Sequence, residues 1–128
     1  MKINELSVGN YTYHKVYGNV EVTAIFDTGQ LEIRTSAREI RIINISEIKP
    51  IPLDIDGIWL KLLGFKVGKQ NCEYTKKLRS CVVKMFYYDA WNLSIKSKVV
   101  DVEMADFFSV HNFQNIILQI TEVKLKLK

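Results

Sequence analysis

Apolar and polar residues alternate with a period of two through most of the first half of the chain, in short runs broken by turn residues. "YTYHK" leads through "YGN" to "VEVTAIF", which passes through "DTG" to "QLEIRT" and, after Ser36 and Ala37, to "REIRIIN". Runs of this length, separated by Gly, Asp and Asn, predict a tight antiparallel meander. Val20, Val22, Ala24 and Phe26 are expected to share one face; Leu31 and Ile33 share another, with Glu32 and Arg34 turned away. Four or five such strands, entered through "ELSVGNY", bury a core most economically by curling into a small SH3-like barrel.

"EIKPIPL" then reads as an extended, stiff segment, because Pro50 and Pro52 each push the preceding residue away from helical angles. In "DIDGIWLKLLGF", Asp54 or Asp56 caps a short helix with Ile58, Trp59, Leu62 and Leu63 as its apolar stripe. Gly64 fits the left-handed position past its end, and Phe65 closes back on Leu60. Strand periodicity returns in "SCVVKMFYYD", "AWNLSIKS" and "VVDVEM", a three-stranded meander with Cys81, Val83, Met85, Trp91, Leu93 and Ile95 facing inward. A second helix over "VHNFQNIILQIT" is expected to cover it. Ser109 is its N-cap, Phe108 and Phe113 a hydrophobic staple, and Phe113, Ile116, Ile117 and Ile120 its apolar face. "VKLKLK" ends the chain as an edge strand guarded by Lys124, Lys126 and Lys128.

The fold class expected is therefore α+β: an SH3-like small β-barrel over residues 1–53, then an antiparallel β-meander packed with two short helices over residues 54–128.

The chain has 128 residues, 48% hydrophobic and 25% charged, which is the make-up of a folded globular protein and excludes a disordered one. Neither a signal peptide nor a run of about 18 apolar residues is visible, so a cytoplasmic location without membrane insertion is the expectation. Of 18 basic and 14 acidic residues, six of each fall within residues 1–53 and cancel. The net charge of +4 therefore lies entirely in the second half, a surplus that permits polyanion binding without requiring it. Cys72 and Cys81 do not make a metal-binding set with two distant histidines, and both read as reduced thiols.

Four stretches, "INELSVGNYTY", "ISEIKPIPL", "IWLKLLGF" and "VHNFQNIILQIT", occur in this order along almost the whole chain. In them the sequence resembles an uncharacterised family of small proteins from gut-bacterial genomes, often borne on prophages and other mobile elements. Its members look like "ELRIGNLV", "IEPIPLTEEWLLKFGF" and "YVHQLQNLYFALTGEEL". The matching positions are Leu6, Gly9 and Asn10; Ile48, Pro50, Ile51, Pro52 and Leu53; Trp59, Leu60, Gly64 and Phe65; and Val110, His111, Gln114, Asn115 and Thr121. Glu122 stands where the family usually has glycine, and Asp54 to Gly57 replace a threonine and an acidic helix start. The resemblance implies a genomic setting and a fold, and leaves function open.

Candidate chemistry is sparse. "DIDG" is half of a calcium loop without the later glutamate, so helix capping is its expected role. His14 alternates with tyrosines on a strand and reads as a surface residue, and His111 as a neutral polar residue in a first helical turn. No phosphate loop, HExxH or GxSxG is present, and neither a catalytic residue nor a metal or other cofactor is predicted. Two binding readings follow. Tyr11, Tyr13 and Tyr17 could line a groove for an extended peptide of a protein partner. Alternatively, nucleic acid could meet the basic turn "KKLR" (Lys76, Lys77, Arg79) and the mixed face of Lys84, Phe86 and Tyr88. Asp101 and Glu103 weaken the second reading if they share that face.

Overall fold

The computed structural model describes residues 1–69 and 72–127 of the chain. It is an α+β protein with two antiparallel five-stranded sheets and two α-helices. It divides into two compact units, one comprising residues 1–51 and 109–116, the other residues 52–108 and 117–128.

In the first unit, β1 (Tyr11–His14), β2 (Gly18–Ile25), β3 (Gln30–Arg34) and β4 (Ile40–Asn44) form a meander. A 3-10 turn (Ile45–Glu47) then returns the chain to β5 (Ile48–Lys49), which pairs with β1. The sheet order is β4-β3-β2-β1-β5, and its two outer strands are not paired with each other, so the sheet does not close into a barrel. Val20, Leu31, Ile33, Ile43 and Ile48 form the core with Leu6. Alternation along β2 fails at Thr23, where a bulge shifts the register so that Val22 opposes Ile33 but Ala24 opposes Glu32. One extra residue reverses the faces that follow. Ile25 therefore packs against the core, whereas Phe26 is exposed rather than sharing the inner face with Val20 and Val22.

The second unit begins with α1 (Ile58–Leu62). The Asp54 carboxylate caps it, accepting from the Ile58 and Trp59 amides at 2.8 and 3.0 Å. At the other end Gly64 adopts φ 93°, and the Phe65 amide donates to the Leu60 carbonyl at 2.9 Å. This is the paired closure that a left-handed glycine permits. It draws Leu60 inward: Trp59, Leu60 and Leu63 are buried, whereas Ile58 and Leu62, expected on the apolar stripe, are exposed.

The sheet of this unit has five strands rather than three. Their order is β10-β9-β8-β7-β6, built from β6 (Lys66–Val67), β7 (Glu73–Leu78), β8 (Cys81–Tyr88), β9 (Ala90–Lys96) and β10 (Asp101–Asp106). Its inner face carries Cys81, Val83, Met85, Trp91, Leu93 and Ile95, all buried. Three inner-face side chains reach the segment that covers them. The Trp91 indole donates to the Leu53 carbonyl at 3.0 Å, the Tyr74 hydroxyl to Asp56 at 3.0 Å, and Lys76 Nζ to Leu63 at 2.9 Å.

The second helix, α2 (Val110–Thr121), is capped by Ser109, whose Oγ accepts from the Asn112 amide at 3.4 Å. It divides between the units after Ile116 rather than serving the meander alone. No helix among the described residues is long and apolar enough to cross a membrane. Past α2 the described residues form no strand; Leu125 is buried and Leu127 exposed, so the expected lysine-guarded edge strand is absent there, and Lys128 lies outside the described residues.

The turn after α2 is made by a residue ill suited to it. Glu122 adopts φ 61° and its amide donates to the Leu118 carbonyl at 2.8 Å, the left-handed helix stop that favours glycine. Its side chain makes an exposed pair with Arg79 at 3.4 Å, a contact worth little in water. Glu122→Gly is expected to stabilise the protein by about 0.5–1 kcal/mol, the left-handed strain removed less the added freedom of the unfolded chain. Urea unfolding of the two proteins checks this, and a lower midpoint for the variant would refute it.

Candidate functional site

The three tyrosines proposed as a peptide groove do not form one. Tyr11 is buried, and its amide donates to Gln114 Oε1 at 2.9 Å. Tyr17 packs against the first core with its ring centroid 4.8 Å from that of His14, leaving Tyr13 as the exposed member. His14 is buried rather than on the surface. Its Nδ1 accepts from the Val16 and Tyr17 amides at 3.0 and 3.3 Å, so its Nε2–H donates to the Glu47 carboxylate at 2.9 Å. That bond, with the Asn44 amide, holds Glu47 below the usual carboxylate range. Buried imidazole here fixes a loop, with its hydrogen-bonding capacity spent on backbone and a structural carboxylate.

His111 is also buried, in the first turn of α2, with Nδ1 3.1 Å from Ser109 Oγ. Loss of solvation pushes its pKa below the ordinary imidazole value; Glu5 opposes this and the N-terminal amine adds to it. A base that resists protonation when folded lets the unfolded chain take the proton first. Its contribution is whole above about pH 6.5, the ordinary imidazole value, and is lost as pH falls from there toward the folded pKa. Urea midpoints at pH 7.5 and 5.5 are expected to differ more for the wild type than for His111→Gln. An equal difference would show that another group carries the effect.

The basic residues proposed for nucleic acid do not converge. β7 occupies "EYTKKL", so Lys76 and Lys77 lie within a strand, not in a turn, and face opposite sides of it. Lys76 is on the inner side, donating to Leu63. Arg79 stands in the β7–β8 turn at φ 54° beside Glu122. Lys77, Lys84, Phe86 and Tyr88 do share the outer face, but so do Glu73, Asp101 and Glu103. Lys84 lies 3.9 Å from Glu73 and Lys96 3.4 Å from Glu103, so the face is a mosaic of both signs.

What this outer face does offer is a hollow. Strand register sets Ala105, Asn92 and Phe86 in one row across the sheet, and Glu103, Ser94 and Lys84 in the next. Asn92 and Ser94 on β9 and Ala105 on β10, small beside Phe86 and Lys84 on β8, leave a groove of about 340 Å³, lined by Phe86, Asn92, Leu93, Ser94, Glu103, Met104 and Ala105. Phe86 is 40% exposed and Tyr88 74% exposed beside it, two exposed rings next to one depression; Tyr13, Phe26 and Phe107 are also exposed. Asn92, Ser94 and Ala105 were missed in the sequence because each reads as an ordinary outward position; only the register of three strands makes them the floor of one depression.

A second polar constellation also escaped the sequence reading. Gln114 Nε2 donates to the Gly9 carbonyl at 3.0 Å, Asn10 Nδ2 donates to Asn115 Oδ1 at 2.9 Å, and Asn115 Nδ2 donates to the Glu5 carbonyl at 3.0 Å. These bonds satisfy main-chain groups and tie the first turns of α2 to the entry of β1; they are architecture. Among the described residues, no group of three or more His, Cys, Asp or Glu side chains is placed to hold a metal ion. Comparison of the chain with protein-family models, with curated proteins and with solved structures finds no match.

Proposed function

We propose that this protein is a non-catalytic binding or accessory protein of a prophage or other mobile element, acting through contact with a protein partner at the outer face of its C-terminal sheet. The observation that carries the reading is the groove flanked by exposed Phe86 and Tyr88 on a face whose charges are largely paired with one another. Aromatic rings beside a depression are the usual anchors of protein interfaces, whereas nucleic acid selects surfaces of one sign. The mobile-element setting is supported by the resemblance described above. Gly9, Asn10, Gln114 and Asn115, four positions that carry it, are joined by hydrogen bonds in one unit. The first sheet, with a 3-10 turn before a last strand that returns to β1, supports an SH3-like reading of that unit. Two unbridged thiols, Cys72 and Cys81, are in keeping with a cytoplasmic home.

Affinity capture from host-cell lysate with the wild type and with Phe86→Ser/Tyr88→Ser tests the reading. Both positions are exposed, so the variant is expected to melt as the wild type does while losing the captured protein. In parallel, labelled single- and double-stranded DNA and RNA are titrated at low and physiological salt. Micromolar binding that weakens steeply with salt and is lost in Lys77→Ala/Lys84→Ala would overturn the protein-binding reading in favour of nucleic acid.

A further inference from the structure

We infer that the groove and the open edge of β10 together form a docking site for an extended basic segment of a protein partner, which adds to the sheet as a further strand. This rests on the protein-binding reading above and assigns the partner's chemistry. Among the described residues β10 pairs with β9 alone, so its other edge is unpartnered within the sheet. The Ser97 amide donates to the Val100 carbonyl at 2.8 Å, and Lys96 opposes Asp101. Antiparallel alternation from that point turns the main-chain groups of Val102, Met104 and Asp106 toward β9. It leaves those of Asp101, Glu103 and Ala105 on the open edge, and the same three residues project onto the grooved face.

Charge selects the occupant. β10 carries Asp101, Glu103 and Asp106, and no lysine or arginine lies between Lys98 and Lys124, although the chain as a whole is basic. A second copy pairing through this edge would set acids against acids in the antiparallel registers that overlap the strand, so the edge is guarded against self-association. An incoming basic strand meets the opposite situation. Antiparallel to β10, its residue opposite Ala105 leads, and those opposite Glu103 and Asp101 follow two and four residues later. The first lies in the row of Asn92 and Phe86, where the small floor admits a large apolar or aromatic side chain. The next two lie beside carboxylates and are Lys or Arg. Among the described residues Glu103 is held by an exposed pair with Lys96, which such a side chain displaces readily. The recognised pattern is thus a large apolar residue, any residue, a basic residue, any residue, and a second basic residue, with main-chain hydrogen bonds supplying affinity and the pockets specificity.

The probe is a fluorescein-labelled peptide, Gly-Thr-Phe-Thr-Lys-Thr-Arg-Thr-Gly, titrated into the full-length protein and followed by anisotropy. Binding is expected, falling about tenfold or more with Glu103→Lys and with Asp101→Lys, both exposed positions whose variants keep the wild-type melting temperature. It is also expected to fall when Ser94→Trp fills the groove, and to vanish for a peptide N-methylated at the amides that would pair with the edge. The inference is overturned if the parent peptide does not bind, if the counterpart with Glu for Lys and Arg binds equally, or if N-methylation has no effect. A wild type that dimerises through β10 would overturn it as well. A captured protein that is lost with Phe86→Ser/Tyr88→Ser but retained by Asp101→Lys and Glu103→Lys would overturn this inference and leave the protein-binding reading standing.

Discussion

Replacing Gln114 with alanine is expected to destabilise the protein by about 2–4 kcal/mol, enough to shift the melting temperature by roughly 10 °C. The side chain is buried and serves two backbone groups at once, accepting from the Tyr11 amide at 2.9 Å and donating to the Gly9 carbonyl at 3.0 Å. Alanine leaves both without that partner; the Tyr11 amide is buried, where an unsatisfied backbone group carries a penalty of about 1–3 kcal/mol, and the half-buried Gly9 carbonyl adds a smaller one. Gln114→Glu separates the two roles. A carboxylate still accepts from Tyr11, but it presents an acceptor to the Gly9 carbonyl, so this variant is expected to be no better than alanine at neutral pH. Protonation restores a donor, and its stability relative to wild type is expected to recover as pH falls. A loss below about 1 kcal/mol for Gln114→Ala would mean that the Gln114 bonds add little and that the Asn115 bonds and apolar contact hold the helix.

The parts of this fold that were legible in the sequence are those written by adjacent residues. The Asp54 cap, the Gly64 stop and the Ser109 cap each depend on hydrogen bonds spanning five residues or fewer, and each is found in place. What was not legible depends on distant partners. The bulge at Thr23 leaves no mark in composition, since a single inserted residue looks like continued alternation. β7 was hidden because Lys76 occupies an inward position, made tolerable only by the Leu63 carbonyl it reaches. His14 read as exposed because its partners, Glu47 and the amides of Val16 and Tyr17, are recognisable only once β1 has turned back on itself. "VKLKLK" alternates as a strand does, yet burial of Leu125 proceeds without pairing in a sheet. The candidate site follows the same division. Phe86 and Tyr88 could be seen as outward aromatics, whereas the hollow beside them is a product of register.

Gly57→Ala is expected to be among the most damaging single substitutions in the second unit, with a loss of about 3 kcal/mol. Gly57 adopts φ 73°, in the left-handed region that an L side chain enters at a penalty of roughly 1–2 kcal/mol. Steric crowding adds to this, because a Cβ there would lie 2.1 Å from Tyr74 Cζ and 2.2 Å from its hydroxyl oxygen. The ring cannot swing aside freely. Its hydroxyl donates to the Asp56 carbonyl at 3.0 Å, and its centroid lies 6.0 Å from that of Trp91 in an edge-on contact. Trp91 is itself fixed by its bond to Leu53 and by Tyr87, 5.5 Å away. The two sources of strain are separable by a double-mutant cycle. Tyr74→Leu removes the ring, and in that background Gly57→Ala is expected to lose only about 1–2 kcal/mol, the backbone penalty alone. Equal losses in both backgrounds would place the whole effect in the backbone. Asp56→Ala is the control: Tyr74 uses the main-chain carbonyl of that residue, so its side chain can be removed without releasing the ring.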